Sequence, residues 1–312
     1  DSSPEIDSSM IEETINVIIP VYNGSGMVSR CLNSVLSSKQ QVRFEVLVID
    51  DGSTELETTS FLNSCQARGE ITLLRNEQSH GFVSAVNRGM ACHPNRDVVL
   101  LNSDTEVANN WLDRMRRCAQ ADLKIGTVTP FSNNATICSF PQICSDNLLP
   151  AGTTLAELDK VFSEVNDGRR IPIPTAVGFC MYISRKCINE VGLFDERRFG
   201  RGYGEENDFC RRALRLGWQN VLCTDTFVFH VGNGSFKEER EALSTRAEAV
   251  LLEMHPDYLD SVKSFIRQDP AAPFRRAVEI GLARRRVTAS SEFVEQQVHA
   301  AVPSFSFQVP SD

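Results

Sequence analysis

Three apolar runs in this 312-residue chain end abruptly in oxygen-bearing side chains. In "VVLLNSDTE" Val98 to Leu101 meet Asn102, Ser103 and Asp104; in "VLVIDDGST" the run closing at Ile49 meets Asp50 and Asp51; in "VIIPVYNG" it meets Tyr22 and Asn23. Further on, "GRGYGEENDF" sets three glycines ahead of Glu205, Glu206 and Asp208, and "FVFHVG" puts His230 at the end of another apolar stretch. Acidic clusters without a basic patch suit a hard divalent cation held by oxygens, and such a cation commonly bridges phosphates to a protein. A pyrophosphate group fits that chemistry. Any one Asp or Asn could equally turn the chain or cap a helix, and Glu205, Glu206 and Asp208 could pair with Arg211 or Arg212; recurrence at three strand tips favours a site.

The elements that must carry these residues can be read from periodicity. Ile15, Val17, Ile18, Ile19 and Val21 form the near-continuous apolar run of a parallel strand covered on both faces, broken at Pro20 and Asn23-Gly24. Met27, Cys31, Leu32, Val35 and Leu36 then recur at helical spacing. Strand "FEVLVID", helix "LETTSFLNSCQARG", strand "ITLLRN", helix "GFVSAVNRGMACH" and strand "DVVLLNSD" complete a β-α-β-α-β-α-β order within about the first hundred residues. This order predicts an α/β domain with a mostly parallel sheet, whose ligands bind beyond the carboxyl ends of the strands. The three polar tips then face one cleft.

In the second half, "PTAVGFCMYISRKCINEVGLFDE" reads as a small-residue strand, a helix from about Ser184, and an apolar turn Val191 to Phe194 followed by Asp195. The glycines at 200, 202 and 204 predict a mobile loop, and the helix after them is expected to bury Phe209, Ala213, Leu214 and Leu216. Its N-terminus carries the carboxylates, where the helix dipole favours their ionised form. Beyond Phe236 two charged helical stretches follow, the second containing Arg284-Arg285-Arg286; a solvated helix face is the preferred reading of that triplet over a contact with anionic lipid.

Composition excludes several classes. A net charge of −9 argues against a nucleic-acid surface, and no apolar run approaches the roughly 18 residues of a membrane span. Neither GxGxxG after the first strand nor GxxxxGK[ST] occurs, so the dinucleotide and P-loop readings fail. The ten cysteines are scattered, with no CxxC pair, and read as reduced, mostly buried thiols. With no basic n-region or apolar h-region at the start, that pattern points to the cytoplasm, peripheral to the inner face of a membrane. The organisation expected is an acidic lead (1–14), a first half (15–110) and a second half (111–236) of the α/β domain, a helical extension (237–302) and a linker-like tail (303–312). A start at Asp1 and that tail suggest a module of something longer.

"VIIPVYNG", "VLVIDDGSTE", "NEQSHGFVSAVNRGM", "LLNSDTEV" and "GYGEENDFCRRALRLGW", in this order over roughly residues 15 to 236, resemble an inverting family 2 glycosyltransferase with the GT-A fold. The resemblance implies that "NSD" stands for the family's DxD motif. Asp104 would then hold Mn²⁺ or Mg²⁺ on a nucleotide-sugar diphosphate, while Asn102, which replaces the first Asp, and Ser103 would meet the donor. It also implies that Pro20, Tyr22 and Asn23 line the base and ribose pocket, that Asp50 accepts from the base, and that Asn87 lies near the donor. Glu206 takes the place of the catalytic base, with Glu205 and Asp208 as second carboxylates. Gly178 and Asp195 border the acceptor, and His230 completes the metal site. "TPFSNNATICSFP" is similar to the bacterial surface-polysaccharide subgroup that includes rhamnosyltransferases, which implies a dTDP- or UDP-sugar donor and a glycan or lipid-linked glycan acceptor, with fusion to or association with other glycosyltransferase domains. Two other classes stay open: a non-catalytic glycan- or nucleotide-binding module of this fold, and a sugar nucleotidyltransferase. Against the latter, "PVYNGSG" lacks the basic residue such enzymes place after the first strand.

Overall fold

A computed structural model describes residues 14–232 and 237–301; the acidic lead before residue 14 and the tail from 302 lie outside the described residues. The chain opens with β1 (Ile15–Val21), α1 (Ser25–Ser37), β2 (Phe44–Asp50), α2 (Leu56–Ala67), β3 (Thr72–Arg75), α3 (Phe82–Cys92) and β4 (Val98–Leu101). It continues through β5 (Thr105–Glu106), α4 (Trp111–Gln120), β6 (Ile125–Phe131), α5 (Leu155–Val165), β7 (Arg170–Pro172), β8 (Cys180–Ile183), α6 (Arg185–Val191) and α7 (Glu196–Phe199). Then come α8 (Glu205–Arg215), β9 (Gln219–Phe227), β10 (Phe229–His230), α9 (Lys237–Met254), α10 (Tyr258–Gln268) and α11 (Ala272–Ala301).

One eight-stranded sheet has the order β3-β2-β1-β4-β8-β6-β9-β7, and a two-stranded ladder joins β10 to β5. The first four strands run parallel, as the alternation of strands and helices requires. β8 enters antiparallel between β4 and β6, which carries the sheet from the first half of the chain into the second. Alternate residues of β1 serve two cores. Val17, Ile19 and Val21 pack with Cys31 and Leu32 of α1, Leu62 of α2 and Trp111 of α4, whereas Ile18 packs with Val83 and Val86 of α3, Ile188 of α6 and Phe209 of α8. Burial on both faces explains why β1 and β4 read as continuous apolar runs. Pro20 has no N–H to give, and it lies past Ile18, the last β1 residue paired with β4.

The extension packs back on the core: α9 contacts α7 and α8, and α11 contacts α5. Two of the three consecutive arginines are engaged there, Arg285 with Glu164 and Arg286 with the Ala151 carbonyl, so the triplet is not wholly a solvated face. Among the described residues no helix is long and apolar enough to cross a membrane. All ten cysteines are free thiols, and all but Cys92 and Cys144 are buried.

Candidate active site

β4 ends at Leu101, and the backbone N–H of Asn102 donates to the Phe179 carbonyl at 2.8 Å. The chain then turns, held by the Thr105 N–H and hydroxyl on the Asn102 carbonyl, and β5 pairs with β10 so that His230 lies opposite Thr105. This small ladder brings Asp104 and His230 together from positions 126 residues apart in sequence. Asp104 Oδ2 accepts from the Gly232 N–H at 3.1 Å and lies 3.4 Å from His230 Nε2. Burial pushes the Asp104 carboxyl upward, but His230 and the Gly232 N–H outweigh it and hold the group below the usual carboxylate range. Asp104 is therefore an anion at neutral pH.

His230 is oriented by three contacts. Its N–H donates to Asn133 Oδ1 at 2.8 Å while Asn133 Nδ2 donates to its carbonyl at 2.8 Å, and its ring stacks on Phe179 with centroids 5.3 Å apart. Nδ1 lies 2.7 Å from the Asn134 carbonyl, a pure acceptor, so Nδ1 carries a proton and Nε2 is the ring nitrogen that faces Asp104. A carbonyl holding one ring nitrogen and so aiming the other is the usual arrangement of a metal-binding imidazole. The 3.4 Å from Nε2 to Asp104 Oδ2 is long for a hydrogen bond. It matches the roughly 3.0–3.4 Å between two ligands each about 2.1 Å from one cation. The donor set therefore fits a divalent ion. Among the described residues no third His, Cys, Asp or Glu joins the pair.

The carboxylates of α8 lie on the other side of Phe179. A methyl group added at Gly178 would sit 3.7–3.9 Å from Cγ, Cδ and Oε1 of Glu206, so the backbone at Gly178 faces the Glu206 carboxylate. Glu205 is only 4% exposed, and one oxygen of each glutamate, Oε2, is buried without a hydrogen-bond partner. Burial raises Glu206, and burial plus the Glu206 charge raises Glu205 well above the carboxylate range. The backbone N–H groups of the first helical turn lower both by less than burial raises them, so the helix N-terminus does not offset burial here. A buried carboxylate with an elevated proton affinity and an open lone pair can take a proton from a hydroxyl.

Several residues assigned to the cleft by motif do other work. Asp50 has a fully enclosed side chain, with one oxygen 2.7 Å from Arg75 Nε and the other accepting from Ser53 N–H, so no lone pair faces a base. Asn23, in the left-handed region at φ 58°, accepts from the N–H groups of Thr54 and Glu55 and so clasps the loop after β2. Asn87 bonds both ways with the Phe194 backbone, at 2.9 and 3.1 Å, and fixes the turn before Asp195 instead of reaching a donor. Asp195 caps α7 through the Arg198 N–H. Asp208 is fully buried between Arg212 Nε and His255 Nε2, both at 2.8 Å, which removes it as a second acid or base. That pairing also gives His255 a setting its sequence context does not announce.

Tyr22, 54% exposed, and half-buried Pro20, Asn102 and Ser103 stay at the strand tips where a ligand would lie. Asp51 was not assigned a role, yet it accepts four hydrogen bonds, from Asn76, Ser79, the His80 N–H and the Gly81 N–H, and pins the loop before α3. The Gly200–Gly204 loop is held as well. Phe82 N–H donates to the Arg201 carbonyl at 3.0 Å, and Arg201 reaches Ser79 Oγ at 2.9 Å. Gly81 makes that contact, since at φ 96° any Cβ there would lie 2.7 Å from Arg201 Cα. On α8, Leu216 is 51% exposed and Leu214 half-buried; Cys210 fills the buried stripe instead, because the helix ends at Arg215.

A mostly parallel sheet that gathers an Asp/His pair and a buried glutamate beyond its strand ends defines a GT-A architecture, the nucleotide-sugar type of α/β fold. The glycosyl transferase family 2 model matches residues 16–192, more than half of the chain, and the chain belongs to that family. Glycosyltransferase GlyA of Streptococcus pneumoniae serotype 4 is 23% identical over 231 residues, covering 72% of this chain and 32% of GlyA. The chain spans about a third of the length of the curated relatives it matches first. Two solved structures share the fold. GalNAc-T7 with UDP, GalNAc and Mn²⁺ superposes with a TM-score of 0.59 at 18% identity, covering 88% of this chain and 55% of its own. The mannosyltransferase PcManGT of Pyrobaculum calidifontis, with GDP-Man and Mn²⁺, gives 0.56 at 13% identity, covering 95% and 82%.

Proposed function

We propose that this chain transfers a sugar from a nucleoside-diphosphate donor to a hydroxyl of a glycan acceptor, with inversion at the anomeric carbon. One observation carries the reading: two consecutive residues, Gly178 and Phe179, touch the two halves of the site. Phe179 contacts Asn102 and His230, and Gly178 faces Glu206. The cation-holding pair and the proton acceptor thus flank one short stretch of backbone, which suits a diphosphate leaving from one face of a sugar while a hydroxyl attacks the other.

Asp104 and His230 would hold Mn²⁺ or Mg²⁺, which when bound supplies positive charge to the departing diphosphate. Mn²⁺ in both structural neighbours, together with UDP or GDP-mannose, supports that cofactor and donor class. Glu206 accepts the acceptor's proton as the new carbon–oxygen bond forms and the bond to the diphosphate breaks; no covalent enzyme intermediate is involved. Gly178 keeps the space beside Glu206 open, and Asn102, Ser103 and Tyr22 line the donor side. The 129–141 segment favours a dTDP- or UDP-sugar, and a lipid-linked glycan of a surface polysaccharide as acceptor, handled at the cytoplasmic face of the membrane, in a protein carrying further glycosyltransferase domains.

Calorimetric titration with UDP, dTDP, GDP and CDP, each with and without Mn²⁺, tests the donor side. Binding of one nucleotide only with Mn²⁺ is expected; no binding to any would favour a non-catalytic module. Glu206→Gln should abolish transfer while leaving that binding intact, and surviving transfer would remove Glu206 as the base.

A further inference from the structure

Helix α8 is engaged along its length by three residues of the C-terminal extension. Asp208, Arg211 and Arg215, at positions i, i+3 and i+7, each take a partner from the α9–α10 junction: His255 Nε2 on Asp208 at 2.8 Å, Asp257 on Arg211, and the Met254 carbonyl on Arg215 at 3.0 Å. The first of these is enclosed, since His255 and Asp208 are both 0% exposed. His255 Nδ1 is buried with no hydrogen-bond partner, so the ring is held through Nε2, which donates to the Asp208 carboxylate.

From Asp208 the network runs on. Its second oxygen accepts from Arg212 Nε at 2.8 Å, and Arg212 donates to the carbonyls of Val191 and Leu193 at 2.6 and 3.0 Å. The next residue, Phe194, is the one clasped by Asn87 of α3. A single chain of bonds therefore links the extension, the helix carrying Glu206, the turn before Asp195 and the donor-side helix. Tyr258 belongs to the same extension, and burial and then the Glu206 charge push its phenol above its ordinary range.

We propose that His255 is a positioning residue for transfer: by donating to Asp208 it fixes the rotation and depth of α8, and so the place of Glu206 against Gly178. The extension is then a working part of the acceptor site. This rests on Glu206 as the base, and the test separates the two ideas. His255→Gln keeps a donor at nearly the Nε2 position, whereas His255→Asn is too short and leaves Asp208 with one partner fewer. Hydrogen–deuterium exchange over residues 205–215 reads the positioning without any catalysis. His255→Asn is expected to speed exchange there at least about tenfold, and His255→Gln to stay within about threefold of the unmodified protein. With the donor that the nucleotide titration selects, His255→Asn should lower kcat at least about tenfold with donor KM and Mn²⁺·nucleotide affinity unchanged, and His255→Gln should restore most of it. Equal exchange and equal kcat in the two variants overturn the proposal, as does loss of Mn²⁺·nucleotide binding in step with kcat, which marks a merely structural role. Faster α8 exchange in His255→Asn with no change in kcat, alongside an active Glu206→Gln, would reject the base assignment and leave the positioning of the helix standing.

Discussion

Replacing Glu205 by Gln should stabilise the protein, and by an amount that depends on pH. Glu205 is 4% exposed, its Oε2 has no partner, and its neighbour Glu206 is a half-buried carboxylate with its own Oε2 enclosed. A buried acceptor left unpartnered costs about 1–3 kcal/mol. Gln has nearly the shape of a protonated Glu and carries no charge. The sign follows from linkage: the folded-state pKa of Glu205 is raised above its unfolded value, so its favourable contribution is complete below the unfolded value and is lost as pH rises through the folded one. The unmodified chain therefore weakens over that window by about 1.4 kcal/mol per pH unit, and Glu205→Gln does not. The variant is expected to match the parent near pH 4.5 and to exceed it by about 1–3 kcal/mol at pH 8. Thermal midpoints should differ there by roughly 2–4 °C per kcal/mol. Urea unfolding at four or five pH values measures the difference directly. A gain of the same size at pH 5 and pH 8, or a loss at pH 8, would refute the reasoning.

Asp104→Asn should weaken Mn²⁺-dependent nucleotide binding at least about tenfold, or ~1.4 kcal/mol, without changing metal-free binding; calorimetry in Mn²⁺ and in chelator distinguishes the two. The transfer rate should climb with pH through a midpoint above the ordinary carboxylate range, because Glu206 acts only when ionised and burial has raised it; a rate flat from pH 4 to 8 would contradict this. Gly81→Ala combines a φ of 96° with a Cβ 2.7 Å from Arg201 Cα, so it should cost about 2–5 kcal/mol of stability by urea unfolding and loosen the Gly200–Gly204 loop. A loss under about 0.5 kcal/mol would mean that this contact relaxes freely.

Much of the sheet is legible in the chain because its signal is local. β1, β2 and β4 are runs of β-branched and aliphatic residues largely buried on both faces, and each polar tip stands where its strand ends. The Asp104 and Glu206 motifs share that property, since each depends on a few adjacent residues. The partners of Asp50, Asn23, Asn87 and Asp208 are hidden for the opposite reason. Arg75, Thr54, Phe194 and His255 lie 25, 31, 107 and 47 residues from the groups they bind. A carboxylate with a free lone pair and one already saturated look the same in sequence.

The sequence alone determined the order of elements, the position of each polar strand tip and the chemical types gathered there, because periodicity and turn chemistry act over a few residues. Tertiary structure decided which of those groups remain open to a ligand. The β5–β10 ladder sets Asp104 beside His230, Phe179 and Gly178 join that pair to Glu206, and the extension closes behind α8 through His255. Each of these follows from long-range packing and the obligation of buried polar groups to find partners, which no local pattern encodes.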